Sequence, residues 1–136
     1  MKKYEEFINA LQYVDQGDNK SAYDKLTELI NDNLELENKT LYYDALYARA
    51  SLDIANLNLH IDDSIEDLKI LIANRTRYVK ESYSLATLVY DHLEMPDEVI
   101  EYGTKALELN APFTSEIAYV QWAIKRNTLP SAYSLS

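Results

Sequence analysis

Between Tyr83 and Asn110 the chain carries two helical signatures back to back, and this stretch limits the fold more than any other. Tyr83, Ala86, Thr87 and Tyr90 fall at i, i+3, i+4 and i+7, the spacing that lines one helix face. Met95-Pro96-Asp97-Glu98 then interrupts the pattern. A proline in the first turn of a new helix loses no hydrogen bond, and acids there favour the helix dipole. The second helix ends at Ala106-Leu107-Glu108-Leu109-Asn110, ahead of Pro112. Only two glycines and three prolines occur in 136 residues. Sheets joined by tight hairpins need glycine-rich turns at close intervals, so the scarcity predicts an all-α chain.

The upstream sequence repeats this plan less regularly. Tyr4, Phe7, Ile8, Leu11 and Val14 predict helix one over about Lys3 to Gln16. Gly17-Asp18 supplies a stop and a new N-cap, and Ala22, Leu26, Leu29 and Ile30 form the stripe of helix two. The polar run Asn31 to Lys39 reads as the longest connection, held down only by Leu34 and Leu36. Thr40 or Asn38 is expected to cap helix three, running to about Asn58 with Leu41, Ala45, Ala48, Leu52 and Ala55 on one face. Asp62-Asp63-Ser64 is expected to cap helix four, with Ile65, Leu68, Leu71 and Ile72 apolar. Helix five should begin near Thr76 or Arg77 and helix six near Pro96, with Gly103 marking a close approach or a local bend. A seventh helix is expected from Thr114 or Ser115 to about Arg126, with Ile117, Val120 and Ile124 inward.

The stretch from Tyr83 to Pro112 resembles the tetratricopeptide repeat, with its aromatic, small residue and Tyr in the first helix and its Ala-Leu end before a proline. Gly17 with Ala22, and Arg49-Ala50 in helix three, resemble the same pattern more loosely. Leu71 lies 35 residues before Ala106, close to the family period of about 34. Leu29 to Leu71 is 42 residues, so the Asn-rich connection reads as an insertion in the frame. The first repeat is the weaker match, because Glu6 stands where the family prefers a large aromatic. The resemblance implies a single domain over residues 1–136, a right-handed α-α superhelix of three TPR-like helix pairs with a C-terminal capping helix.

The net charge of −10 repels nucleic-acid phosphate and anionic lipid, arguing against nucleic-acid and membrane partners and leaving a basic protein open. Spread charge of this kind also serves solubility. With no cysteine, disulfides and thiolate chemistry are excluded. Glu5, Glu6 and Asn9 break the first stretch before it reaches the uninterrupted apolar core of a secretory signal. The expected location is cytoplasmic. His60 and His92 occur singly, without a metalloprotease or nucleophile context, and Asp15 to Asn19 lacks the ligand alternation of a calcium loop. No enzyme activity, metal or cofactor is expected.

The expected function is non-catalytic protein binding. In the family the first helices of successive repeats line a concave groove. The resemblance places Tyr4, Phe7 and Leu11 there from helix one, Tyr47, Ser51 and Ile54 from helix three, and Glu81, Ser84, Leu88 and His92 from helix five. This mixed surface suits a partner's helix or extended peptide. None of these positions is basic, which argues against a clamp for an acidic chaperone C-terminus. Two other roles remain open. One is a small acidic inhibitor or immunity-type protein that masks a basic surface. The other is a homodimeric scaffold through the last helix, where Tyr119 and Trp122 lie off the inner face. Twelve tyrosines fit either half-buried packing or interfaces.

Overall fold

The computed structural model describes residues 2–111. Six helices account for most of them: α1 Lys2–Asp15, α2 Asn19–Leu29, α3 Lys39–Leu52, α4 Ile61–Ala73, α5 Val79–His92 and α6 Pro96–Glu108. No strand occurs among the described residues, so the fold is all-α. The expected seventh helix, with Tyr119 and Trp122, lies outside them.

The chain divides into two compact units, Met1–Thr76 and Arg77–Ser136. In the first, α1 packs on α2, α2 on α3 and α3 on α4. Ala22, Leu26 and Leu29 of α2 bury the predicted stripe, and Leu41, Ala45 and Leu52 of α3 and Leu68 and Leu71 of α4 complete the core. Removing such a fully enclosed leucine side chain typically costs about 2–5 kcal/mol. In the second unit α5 packs on α6. Ala86, Thr87 and Tyr90 are buried, with Val99, Gly103 and Ala106 at i, i+4 and i+7 on α6. Tyr102 tilts against Tyr83 and Tyr90 at 5.8 and 5.1 Å between ring centres. α6 runs unbroken through Gly103, which is buried.

Helix ends explain how so few glycines suffice. Gly17, Arg75, Glu94 and Asn110 all adopt positive φ two residues past the end of a helix. In each case the next residue's N–H reaches back five positions, as Asp18 does to the Tyr13 carbonyl at 2.8 Å and Met95 to Tyr90 at 2.9 Å. This is the Schellman stop, usually a glycine's position. Here three of the four ends use residues with side chains, accepting a left-handed backbone that favours glycine.

The starts follow the sequence more closely. Asp18 caps α2 through Ser21 N–H at 3.1 Å, and Asn38 caps α3 through Leu41 N–H at 3.1 Å. Pro96 opens α6. The connection from Asn31 to Lys39 holds more helix than expected: the backbone leaves helical geometry only at Asp32 and Asn33, and one helical turn follows at Glu35–Glu37. Leu34 is fully buried and anchors it, whereas Leu36 is 83% exposed. A π turn, Asp53–Leu57, extends α3 to a left-handed Asn58.

Candidate partner-binding surface

Helix α1 is amphipathic with an unusually wide apolar arc. At 100° per residue, Ala10, Val14, Phe7, Leu11, Tyr4 and Ile8 follow one another around roughly 160°. A single neighbouring helix covers only part of such an arc, and one flank of it stays open. Ala10 is enclosed, Val14, Phe7 and Leu11 are half-buried, and Tyr4 and Ile8 remain 55% and 36% exposed. The structure therefore brings Tyr4, Phe7 and Leu11 onto one arc and adds Ile8 to it. The sequence shows Ile8 as part of the stripe, yet only the packing of α1 on α2 shows on which side the stripe stays open.

The other expected groove positions differ in accessibility. Tyr47 and Ser51 share a face of α3, and Ile54 continues it on the π turn; all three are half-buried. In the second unit Glu81 and Leu88 of α5 are half-buried, His92 is exposed and Ser84 is completely buried. Ser51 Oγ, Glu81 Oε2 and Ser84 Oγ are buried without any hydrogen-bond partner, as is Ser82 Oγ.

Sequence patterning missed a polar network inside the first unit. Arg49 on α3 forks onto Asp67 of α4, Nε to Oδ2 at 2.9 Å and Nη2 to Oδ1 at 2.7 Å, while its Nη1 donates to Thr27 Oγ1 of α2 at 3.2 Å. Burial pushes the Asp67 carboxyl above its ordinary range, and Arg49 pulls it only partly back. Burial likewise opposes the charge on Arg49, but Asp67 outweighs it and the guanidinium stays protonated. The Arg49 guanidinium lies 6.0 Å from the centre of the Tyr23 ring. The phenol of Tyr23 is pushed up to about 12, chiefly by burial. Its other neighbour is His60, stacked at 4.1 Å with the rings 11° apart. Asp67 sits on the apolar stripe of α4 between Ser64 and Leu71, and an acid in that register was the available signal.

The start of α4 departs from expectation for the same reason. Asp62 and Asp63 are exposed and the N-cap is His60, whose side chain makes no capping bond. Asp53, fully buried just past α3, ties down the segment leading into α4. It accepts from Leu59 N–H at 3.0 Å, His60 N–H at 3.1 Å and Ser64 Oγ–H at 2.9 Å. His60 is therefore a packed residue rather than the solvated helix end its position suggested.

Open clefts of about 470 and 420 Å³ lie along the opposite flank of α1, lined by Glu6, Lys25, Glu28 and Asp32 in one case and by Asn9, Gln12, Tyr13 and Gln16 in the other. Both are open and lined mainly by polar side chains, with Leu29 the one apolar residue lining the first, a poor match to the mostly apolar pockets that hold small molecules. Among the described residues no group of three His, Cys, Asp or Glu could hold a metal ion, and no helix is long and apolar enough to cross a membrane. No family model, curated protein or solved structure matches the chain.

Proposed function

We propose that the chain is a non-catalytic protein-binding module of tetratricopeptide-like build, whose helix pairs stack as a right-handed superhelix and whose first helices present a groove to a partner's helix or peptide. The observation that carries this reading is the open apolar edge of α1, where Tyr4 and Ile8 stand exposed beside half-buried Leu11 and Phe7. Leaving that edge in water forfeits stabilisation of about 25 cal/mol per Å² that a partner would recover. Ser84 is fully enclosed and drops out of the expected groove set, because a side chain without exposed surface cannot meet a partner.

A second reading draws on charge. The chain carries −10 overall, and Asp62, Asp63 and Glu66 are exposed on α4. In that reading a basic partner is masked by the acidic outer faces. Capture of binding proteins by immobilised wild type, Tyr4→Ala/Ile8→Ala and Asp62→Asn/Glu66→Gln separates the two. The groove reading predicts that the first double variant loses its captured proteins while the second retains them. Capture that survives Tyr4→Ala/Ile8→Ala and disappears with moderate salt would refute it.

A further inference from the structure

The open edge of α1 is apolar along its middle and acidic at its borders. Tyr4, Ile8, Leu11 and Asp15 fall at i, i+4, i+7 and i+11, one continuous row. Glu5 lies on the outer side of the same row, beyond Gln12 on the helix wheel and three residues before Ile8 along the chain. Glu5 and Asp15 are both exposed, and neither joins an ion pair among the described residues. Lys3, which borders the buried side of the arc, is engaged by Asp32 and Glu37 at the α2–α3 connection. The open row therefore carries two exposed acids that no ion pair engages, with Lys2 at its N-terminal end the nearest exposed cation on the helix.

The shape of the row selects the occupant's conformation. It is the ridge of a single helix, about 16 Å from Tyr4 to Asp15 at 1.5 Å per residue. Every amide in its middle is used within the helix, so it offers no edge for strand addition. A second helix, whose side chains interdigitate with such a ridge at about 8–10 Å between axes, fits it directly. We propose that this edge takes a basic amphipathic helix of about three turns, its apolar residues seated on Tyr4, Ile8 and Leu11 and its Lys or Arg side chains reaching Glu5 and Asp15. The proposal rests on the groove reading above and adds the sign of the partner's charge.

Fluorescence anisotropy with three labelled synthetic peptides of roughly four turns tests it. All carry leucine at the same helical positions, and the remaining positions are Lys in one, Gln in the second and Glu in the third. The full chain is expected to bind the Lys peptide most tightly. Tyr4→Ser/Ile8→Ser should weaken that binding at least about tenfold, and Glu5→Lys/Asp15→Lys about fivefold. If the Gln or Glu peptide binds as well as the Lys peptide and still depends on Tyr4 and Ile8, the basic partner is wrong and the groove reading stands. If no peptide depends on Tyr4 and Ile8, both are wrong, and Lys-peptide binding indifferent to these residues is diffuse charge attraction. Should Tyr4→Ser/Ile8→Ser fail to fold, the single Tyr4→Ser variant, at a residue 55% exposed, reads the same dependence.

Discussion

Arg49 and Asp67, 18 residues apart in sequence, hold α3 to α4 by a two-pronged ion pair with 13% and 4% of their side chains exposed. An ion pair this deep is strongly coupled to its surroundings, because removing one partner strands the other charge in a poorly hydrated site. Arg49→Met or Asp67→Leu alone is expected to cost about 3 kcal/mol, and the double variant much less than the sum. Urea denaturation followed by circular dichroism reads the difference. Additive costs would mean that the two side chains act independently.

Asp53 organises the turn from Asn58 to His60 without facing solvent. Asp53→Ala removes three hydrogen bonds to one buried carboxylate and is expected to destabilise the first unit by about 3 kcal/mol. Asp53→Asn should retain part of that, as an amide oxygen still accepts. Hydrogen exchange gives the sharper test: the Leu59 and His60 amides should lose protection in Asp53→Ala. Unchanged protection at both would show that the turn is held by something else.

Lys3 and Asp32 tie α1 to the kinked connection after α2. Hydrogen bonding to Lys3, reinforced by its charge, holds the Asp32 carboxyl below its ordinary 3.8, and the same bond holds Lys3 above 10.5. The depressed acid contributes stability that is present above 3.8 and lost as pH falls through its folded value. The raised amine contributes stability that is present below 10.5 and lost as pH rises through its folded value. Asp32→Asn should therefore be less stable than wild type at neutral pH, with the gap closing in strong acid. A gap independent of pH would remove the ion pair as its cause.

Glu94 and Arg75 hold left-handed backbones with φ of 58° and 50°, at positions where glycine carries no penalty. Both side chains are exposed. Glu94→Gly and Arg75→Gly are each expected to stabilise by up to about 1 kcal/mol, seen as higher thermal midpoints. Lower midpoints would contradict the Schellman assignment at these ends.

These particulars also mark what the sequence could convey. Asn38, Asp18 and Pro96 act within three residues of themselves, and their roles were legible because capping is local. Asp62 and Asp63 looked like a cap for α4, but a buried acid seven residues before His60 fixes the approach to the helix instead, through the Leu59 and His60 amides. Leu34 and Leu36 are indistinguishable by composition, and only the kink at Asp32 and Asn33 sends one inward and leaves the other in water. The pairing of Arg49 with Asp67 spans two helices and left only an acid on an apolar stripe as a trace. For the binding surface, the period of α1 was plain, while the open half of its arc depends on how α2 covers the rest.

The most direct measurement is photo-crosslinking in native lysate, with a benzophenone amino acid placed in turn at Ile8 on the open edge of α1, at exposed Asp24 on α2 and at exposed Glu66 on α4. Binding through the groove predicts a discrete adduct from position 8 that excess unlabelled wild-type protein competes away, with none from positions 24 and 66. Adducts from position 24 or 66 with none from position 8 would contradict it and leave charge masking as the better account.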